Sequence, residues 1–222
     1  MMECTDRHGR YFLRQCSRRV LLYSEMITAA AVRHGKREFL LAFDVAEHPV
    51  ALQLGGGDPA ELAEAAKLGQ AAGYGEINLN VGCPSDRVQS GCFGAVLMKQ
   101  PDLVADCVAE MIAVSPVEVT VKCRIGVDDQ NPAEVLPAFL ARMAEAGVTR
   151  IAIHARKAWL QGLSPRENRE VPPLDYPLVH AMKAEFPHLH LSVNGGVVSL
   201  DQARDHLRVM DGAMIGRAAY HQ

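Results

Sequence analysis

The residues best equipped for chemistry gather where apolar runs stop. In residues 77–98, INLNVGCPSDRVQSGCFGAVLM, an alternating segment ends at Asn80 and Gly82-Cys83-Pro84 turns the chain. A cysteine at such a junction is core filler, a metal ligand or a reagent. No C-x-x-C pair is present and the nine histidines are scattered, so a structural zinc site is not expected. Other apolar runs end in the same way. Gln53 closes PVALQ, Lys122 and Arg124 close VTVKCR, and His154 and Arg156 close IAIHAR. Asn194 closes LSVN and Arg217 closes AMIGR. A lone Gln or His at a strand end is usually a satisfied structural group. Six consecutive runs ending in polar or basic side chains outline one open, cation-bearing mouth.

The last two runs sharpen the chemistry. Asn194-Gly195-Gly196 and Ile215-Gly216-Arg217 are glycine-containing turns, where backbone N–H groups can approach an anion closely. Arg217 could add a charge-assisted bond. A phosphate site beside Gln53, Lys122 and His154 fits flavin mononucleotide, FMN, lying across the mouth. Lys122 would then stand near the flavin N1 and C2 carbonyl, stabilising negative charge on the reduced ring. No G-x-G-x-x-G follows a strand, so a Rossmann dinucleotide site is not expected.

Elements must position these groups. Short β-rich runs alternate with helical segments: VLLYSEMIT, PVALQL, EINLNV, VEVTVKCRI, RIAIHA, HLHLSVNGG and GAMIGR. Several read as apolar on both faces, as parallel strands covered on each side do. DPAELAEAAKLGQAAG carries an Asp-Pro start and ends at Gly73; PAEVLPAFLARMAEAG and SLDQARDHLRVM are further helices, with another over 97–114. Residues 1–10 read as loop leading into a helical RYFLRQCSR. The pattern predicts an α/β fold, a (β/α)8 TIM barrel that lacks its first strand, with residues 1–222 forming one incomplete catalytic domain.

Composition agrees with a globular chain of this kind. Of 222 residues, 49% are hydrophobic and 22% charged, and aromatics are few, so aliphatic side chains must fill the core. There is neither a signal-peptide pattern nor a run of transmembrane length, which predicts a cytoplasmic location and free thiols for the six cysteines. The net charge of −3 is uneven: basic residues are in excess over 1–40, and Arg156, Lys157, Arg166 and Arg169 cluster. Such patches leave room for a phosphate-bearing partner.

EINLNVGCPSDRVQSGCFGAVLM, VTVKCRIG, IHARKAWLQGLSPRENREVPPLDY and VNGGVVSLDQA with MDGAMIGRAAY closely resemble the tRNA-dihydrouridine synthases, most of all their bacterial A-type branch, from Cys4 to Tyr220. The resemblance implies an FMN barrel that reduces uridine to 5,6-dihydrouridine in the tRNA D-loop, with NADPH re-reducing the flavin. It implies that Cys83, rather than Cys92, is the general acid that protonates C5 while hydride reaches C6. A thiol is mostly protonated at neutral pH yet acidic enough to give up its proton. Gln53, Lys122, His154 and the Asn194–Gly196 and Gly216–Arg217 turns would contact FMN. Asn80 and Arg169 would bond the flipped-out uracil, and Arg156 and Lys157 would meet tRNA phosphates. The family's first strand ends in APM, of which Met1 is the tail here, and a helical domain follows GRAAY in the family. Two alternatives stand beside this reading: another FMN barrel acting on a free pyrimidine, and an inactive remnant. The first does not account for the ARKAWL and SPRENRE segments.

Overall fold

The computed structural model describes residues 4–85 and 91–221. Seven parallel strands form one curled sheet in chain order, each hydrogen-bonded to the next. They are β1 (Leu22–Thr28), β2 (Val50–Gly55), β3 (Glu76–Val81), β4 (Glu118–Arg124), β5 (Arg150–His154), β6 (His190–Asn194) and β7 (Gly212–Met214). Strand order equal to chain order is what repeated right-handed β-α-β crossovers produce around a barrel. Among the described residues β1 and β7 are the two sheet edges.

The helices are α1 (Arg7–Cys16), α2 (Ala29–His34), α3 (Arg37–Leu40), α4 (Pro59–Ala71), α5 (Pro101–Val114), α6 (Pro132–Glu145), α7 (Tyr176–Glu185), α8 (Leu200–His206) and α9 (Ala218–His221). Local sequence explains most boundaries. Asp58 accepts from the Glu61 amide at 2.8 Å with Pro59 in the first turn, and the chain leaves α4 at Gly73, φ +103°. Asn131 caps α6 in the same manner, followed by Pro132.

Several expectations are corrected. The helix expected over 97–114 is two elements, a 3₁₀ turn at Gly94–Lys99 and then α5, because Pro101 has no N–H to continue a helix and can only start one. Part of the expected N-terminal loop is already helical, since α1 begins at Arg7 behind the Asp6 cap. Arg217 does not end a strand, as β7 stops at Met214. Met1 lies outside the described residues.

The strands are not apolar on both faces. Ile77, Leu79 and Val81 of β3, Val119, Val121 and Cys123 of β4, Ile151 and Ile153 of β5, and Leu191 and Val193 of β6 join the hydrophobic core that the helices complete. The alternate residues point to the barrel interior and are largely polar. Pairing stacks them in layers: Gln53 beside Asn78 and Thr120; Asn80 beside Lys122, Ala152 and Ser192; Arg124 beside His154, Asn194 and Met214. Layering of this kind is how barrel interiors fill. All six cysteines are free thiols. No described helix is long and apolar enough to cross a membrane.

Candidate active site

Cys83 sits two residues beyond the end of β3, in a turn whose backbone is pinned from three sides. Asn80 Oδ1 accepts from the amides of Gly82 (3.0 Å) and Cys83 (2.9 Å). The Gly82 carbonyl accepts from Arg124 Nε at 3.1 Å, and the Cys83 carbonyl accepts from the Ala95 amide at 2.8 Å. Among the described residues the half-buried thiol has one polar side-chain contact, Ser85 Oγ at 3.5 Å. The turn is therefore rigid while its sulfur is largely uncommitted.

The strands bring cations to that sulfur. Lys122, Arg124 and Arg169 all lie within electrostatic reach of Cys83. Burial, with Arg124 next to it, pulls the Lys122 ammonium down to about 8. Its ammonium makes no hydrogen bond or ion pair with the described residues. Burial also drives His154 well below its ordinary value, assisted by Arg124, Lys122, Arg156 and Arg169. Its imidazole is neutral near pH 7 and offers one N–H donor. Arg124 also holds main chain: its Nη1 donates to the carbonyls of Lys157 (3.2 Å) and Asn168 (2.9 Å). One guanidinium thereby staples the Cys83 turn to the loop after β5.

That loop is organised by Asn168, which the sequence reading passed over. Fully buried, it accepts from the Trp159 amide at 2.7 Å and donates to the carbonyls of Trp159, Leu163 and Ser164. An Asn in an ENR triplet carries no periodic signal, so only its partners show its role. Arg169, the next residue, is exposed and near Cys83 and Arg217. Lys157 lies 5.3 Å over the Trp159 ring. Arg156 donates to the Pro172 carbonyl, while its buried Nε–H finds no acceptor among the described residues.

The two glycine turns close the far side of the mouth. Gly195 and Gly196 have φ of +97° and +71°, and a Cβ on Gly195 would collide with the His154 ring. Only glycine permits this approach. Tyr176 donates to the Gly195 carbonyl at 2.6 Å, and Asn194 Nδ2 donates to the Met214 carbonyl at 2.7 Å, tying β6 to β7. Arg217, beside Gly216, is held by Glu170 at 2.6 Å. Gln53 and Asn80 lie at the base, with Asn80 Nδ2 donating to Gln53 Oε1 at 2.9 Å. The structure thus brings Cys83, Asn80, Gln53, Lys122, His154 and the Gly195 turn to one end of the sheet.

The family model described as dihydrouridine synthase (Dus) matches residues 1–222. The chain is 60% identical over 221 residues to a tRNA-dihydrouridine(20/20a) synthase of Vibrio cholerae, covering 99% of this chain and 67% of that protein. It is 60% identical to the protein of the same name from Escherichia coli strain K12, covering 99% of this chain and 64% of the relative. The chain thus spans about two thirds of the length of these relatives. Among solved structures it resembles the old yellow enzyme homologue from Zymomonas mobilis, with a TM-score of 0.67 at 13% identity, over 96% of this chain and 79% of that one. That likeness is one of fold.

Proposed function

The chain belongs to the dihydrouridine synthase family, and from that premise we propose that it is the barrel of an enzyme reducing uridine to 5,6-dihydrouridine in the D-loop of tRNA, with FMN as cofactor and NADPH as reductant. The observation that carries the proposal is the pinned turn that holds the Cys83 thiol within electrostatic reach of the Lys122 ammonium, which has no partner among the described residues.

The donor set fits a phosphorylated flavin. Lys122 brings a positive charge with no partner among the described residues, and His154 brings a neutral N–H. The Asn194–Gly196 and Gly216–Arg217 turns supply backbone N–H groups and a cation for the phosphate. Gln53 and Asn80 each retain one amide hydrogen beyond those used in their mutual network. Bound there, FMN would supply the hydride for C6 of the uracil, with NADPH as the source of its two electrons.

The residues of the chain do the rest. Cys83 gives its thiol proton to C5, so the C5–C6 double bond becomes a single bond carrying two new hydrogens, and solvent restores the proton to the thiolate. Lys122 holds negative charge at the pyrimidine edge of the flavin. Asn80 and Arg169 orient a base withdrawn from its stack, a requirement for any reagent fixed in a barrel mouth. Arg156 and Lys157 meet tRNA phosphates.

Replacing Cys83 by Ala tests the assignment. Dihydrouridine formation on tRNA should fall by about 10²–10⁴-fold, the usual worth of a positioned acid, with flavin binding intact. Retained turnover would remove Cys83 from the reaction.

A further inference from the structure

A chain of buried side chains runs from the bottom of the barrel to the Cys83 turn, and each of its hydrogen bonds has a fixed direction. At the mouth, Asn80 Oδ1 accepts from the Gly82 and Cys83 amides, which can only donate. Asn80 Nδ2 must then face inward, where it donates to Gln53 Oε1 at 2.9 Å. Gln53 Nε2 donates to Asn78 Oδ1 at 2.9 Å, and Asn78 Nδ2 donates to Thr120 Oγ1 at 2.8 Å. The single hydroxyl hydrogen of Thr120 is left for Glu76 Oε1, 2.7 Å away. Every member is less than about one tenth exposed, so water cannot substitute for a missing partner.

The bottom end imposes the same direction independently. Glu76 Oε1 also receives the Tyr23 hydroxyl at 2.9 Å, and Oε2 faces Arg150 at 3.5 Å. Arg150 in turn reaches Glu118 of β4 at 3.1 Å. Burial raises the Glu76 carboxyl, while the Thr120 and Tyr23 hydrogen bonds and the Arg150 charge hold it down. With donors on both oxygens, Glu76 is the acceptor that terminates the chain. Glu76, Asn78 and Asn80 share one face of β3 because their spacing is two.

We infer that Glu76, Thr120 and Asn78 are positioning residues: together they set which way the Asn80 amide points, and through it they hold the Gly82 and Cys83 amides and aim the thiol. The importance of that aim rests on the role proposed above for Cys83; the directional chain does not. A variant that reverses one bond should be felt at the turn. In Thr120→Val the hydroxyl is gone, and Asn78 has nothing to donate to. In Glu76→Gln the new amide must either turn its NH₂ toward Arg150 or offer it to Thr120. The second choice reverses every bond as far as Asn80.

The test is amide hydrogen exchange, resolved at Gly82 and Cys83, in the ligand-free full chain. Thr120→Val and Glu76→Gln should each accelerate exchange there by about tenfold or more, with the paired amides of β3 and β4 as slow as in the parent. Thr120→Ser, which keeps the hydroxyl, should stay within about twofold of the parent. Val193→Ala, in β6, removes an equally buried side chain outside the chain of bonds and serves as the control for general loosening. The inference is overturned if the two turn amides keep parental rates in both variants, or if Val193→Ala accelerates them equally. Should one of the two variants unfold, the other decides. Because exchange is read without substrate, failure here leaves the thiol's role standing, and an active Cys83→Ala enzyme would leave the directional chain standing.

Discussion

Lys122 shows how one side chain can be set for its ligand at the expense of the fold. An unfolded lysine keeps its proton to about 10.5, whereas burial brings Lys122 to about 8. Between those values the unfolded chain holds the extra proton, so stability of the ligand-free protein rises with pH across the window. Binding of an anion runs the other way, since it needs the ammonium. FMN affinity should therefore fall as pH rises through about 8, a dependence that Lys122→Met removes. The same variant should bind FMN about tenfold or more weakly yet melt at a higher temperature at pH 7, because a buried charge costing about 3 kcal/mol is gone. Flavin fluorescence titration and thermal melts read both; a lower melting temperature would contradict the account. Lys122 was legible in the sequence because it breaks an apolar alternation at a strand end. Thr120 and Asn78 were not, because a small polar residue inside a β-run looks like any solvent-facing position.

Among elements, the loop after β5 depends on two buried side chains. Arg124 gathers three carbonyls and Asn168 fastens the loop to itself. Asn168→Ala leaves a buried amide and several carbonyls without partners, which should cost about 2 kcal/mol and expose residues 161–167 to proteolysis. Limited digestion with a melt would show it; a loop as resistant as the parent's would mean that Arg124 suffices alone. Helix boundaries were mostly readable, since Asp58-Pro59 and Asn131-Pro132 carry capping and first-turn chemistry. Helix α7 went unread although Asp175 caps Leu178 at 3.0 Å and Pro177 lies in its first turn. Its apolar spacing is weak, so the cap was the usable signal. The break before α5 was likewise announced by Pro101.

For the molecule as a whole, the sheet separates two interiors, an aliphatic one toward the helices and a polar one inside the curl. Chain order revealed the barrel-like plan, because strands and helices alternate. The polar interior was missed, because runs such as EINLNV were judged by their apolar members alone. The N-terminal helix joins this body through buried charge as well as the packing of Leu13 on the core. Arg10 pairs with Glu47 at 2.5 Å, and Arg14 donates to the carbonyls of Ser17, Val20, Glu47 and Pro49. Arg14→Met should lower stability by about 2 kcal/mol, read as a shifted urea midpoint at constant slope, since four carbonyls, the buried one of Glu47 among them, lose their donor. An unchanged midpoint would mean that α1 is held by Arg10 alone.

The buried chain of amides beneath Cys83 also has a meaning for proton traffic. Hydroxyls, carboxyls and water can pass a proton along by taking one and releasing another. A primary amide cannot do so readily, and three of them, Asn78, Gln53 and Asn80, stand in series between Glu76 and the turn. The interior conveys orientation but insulates against conduction. In the reaction proposed above, each thiol proton spent would therefore come back through the open mouth, along the route by which the base would enter and leave.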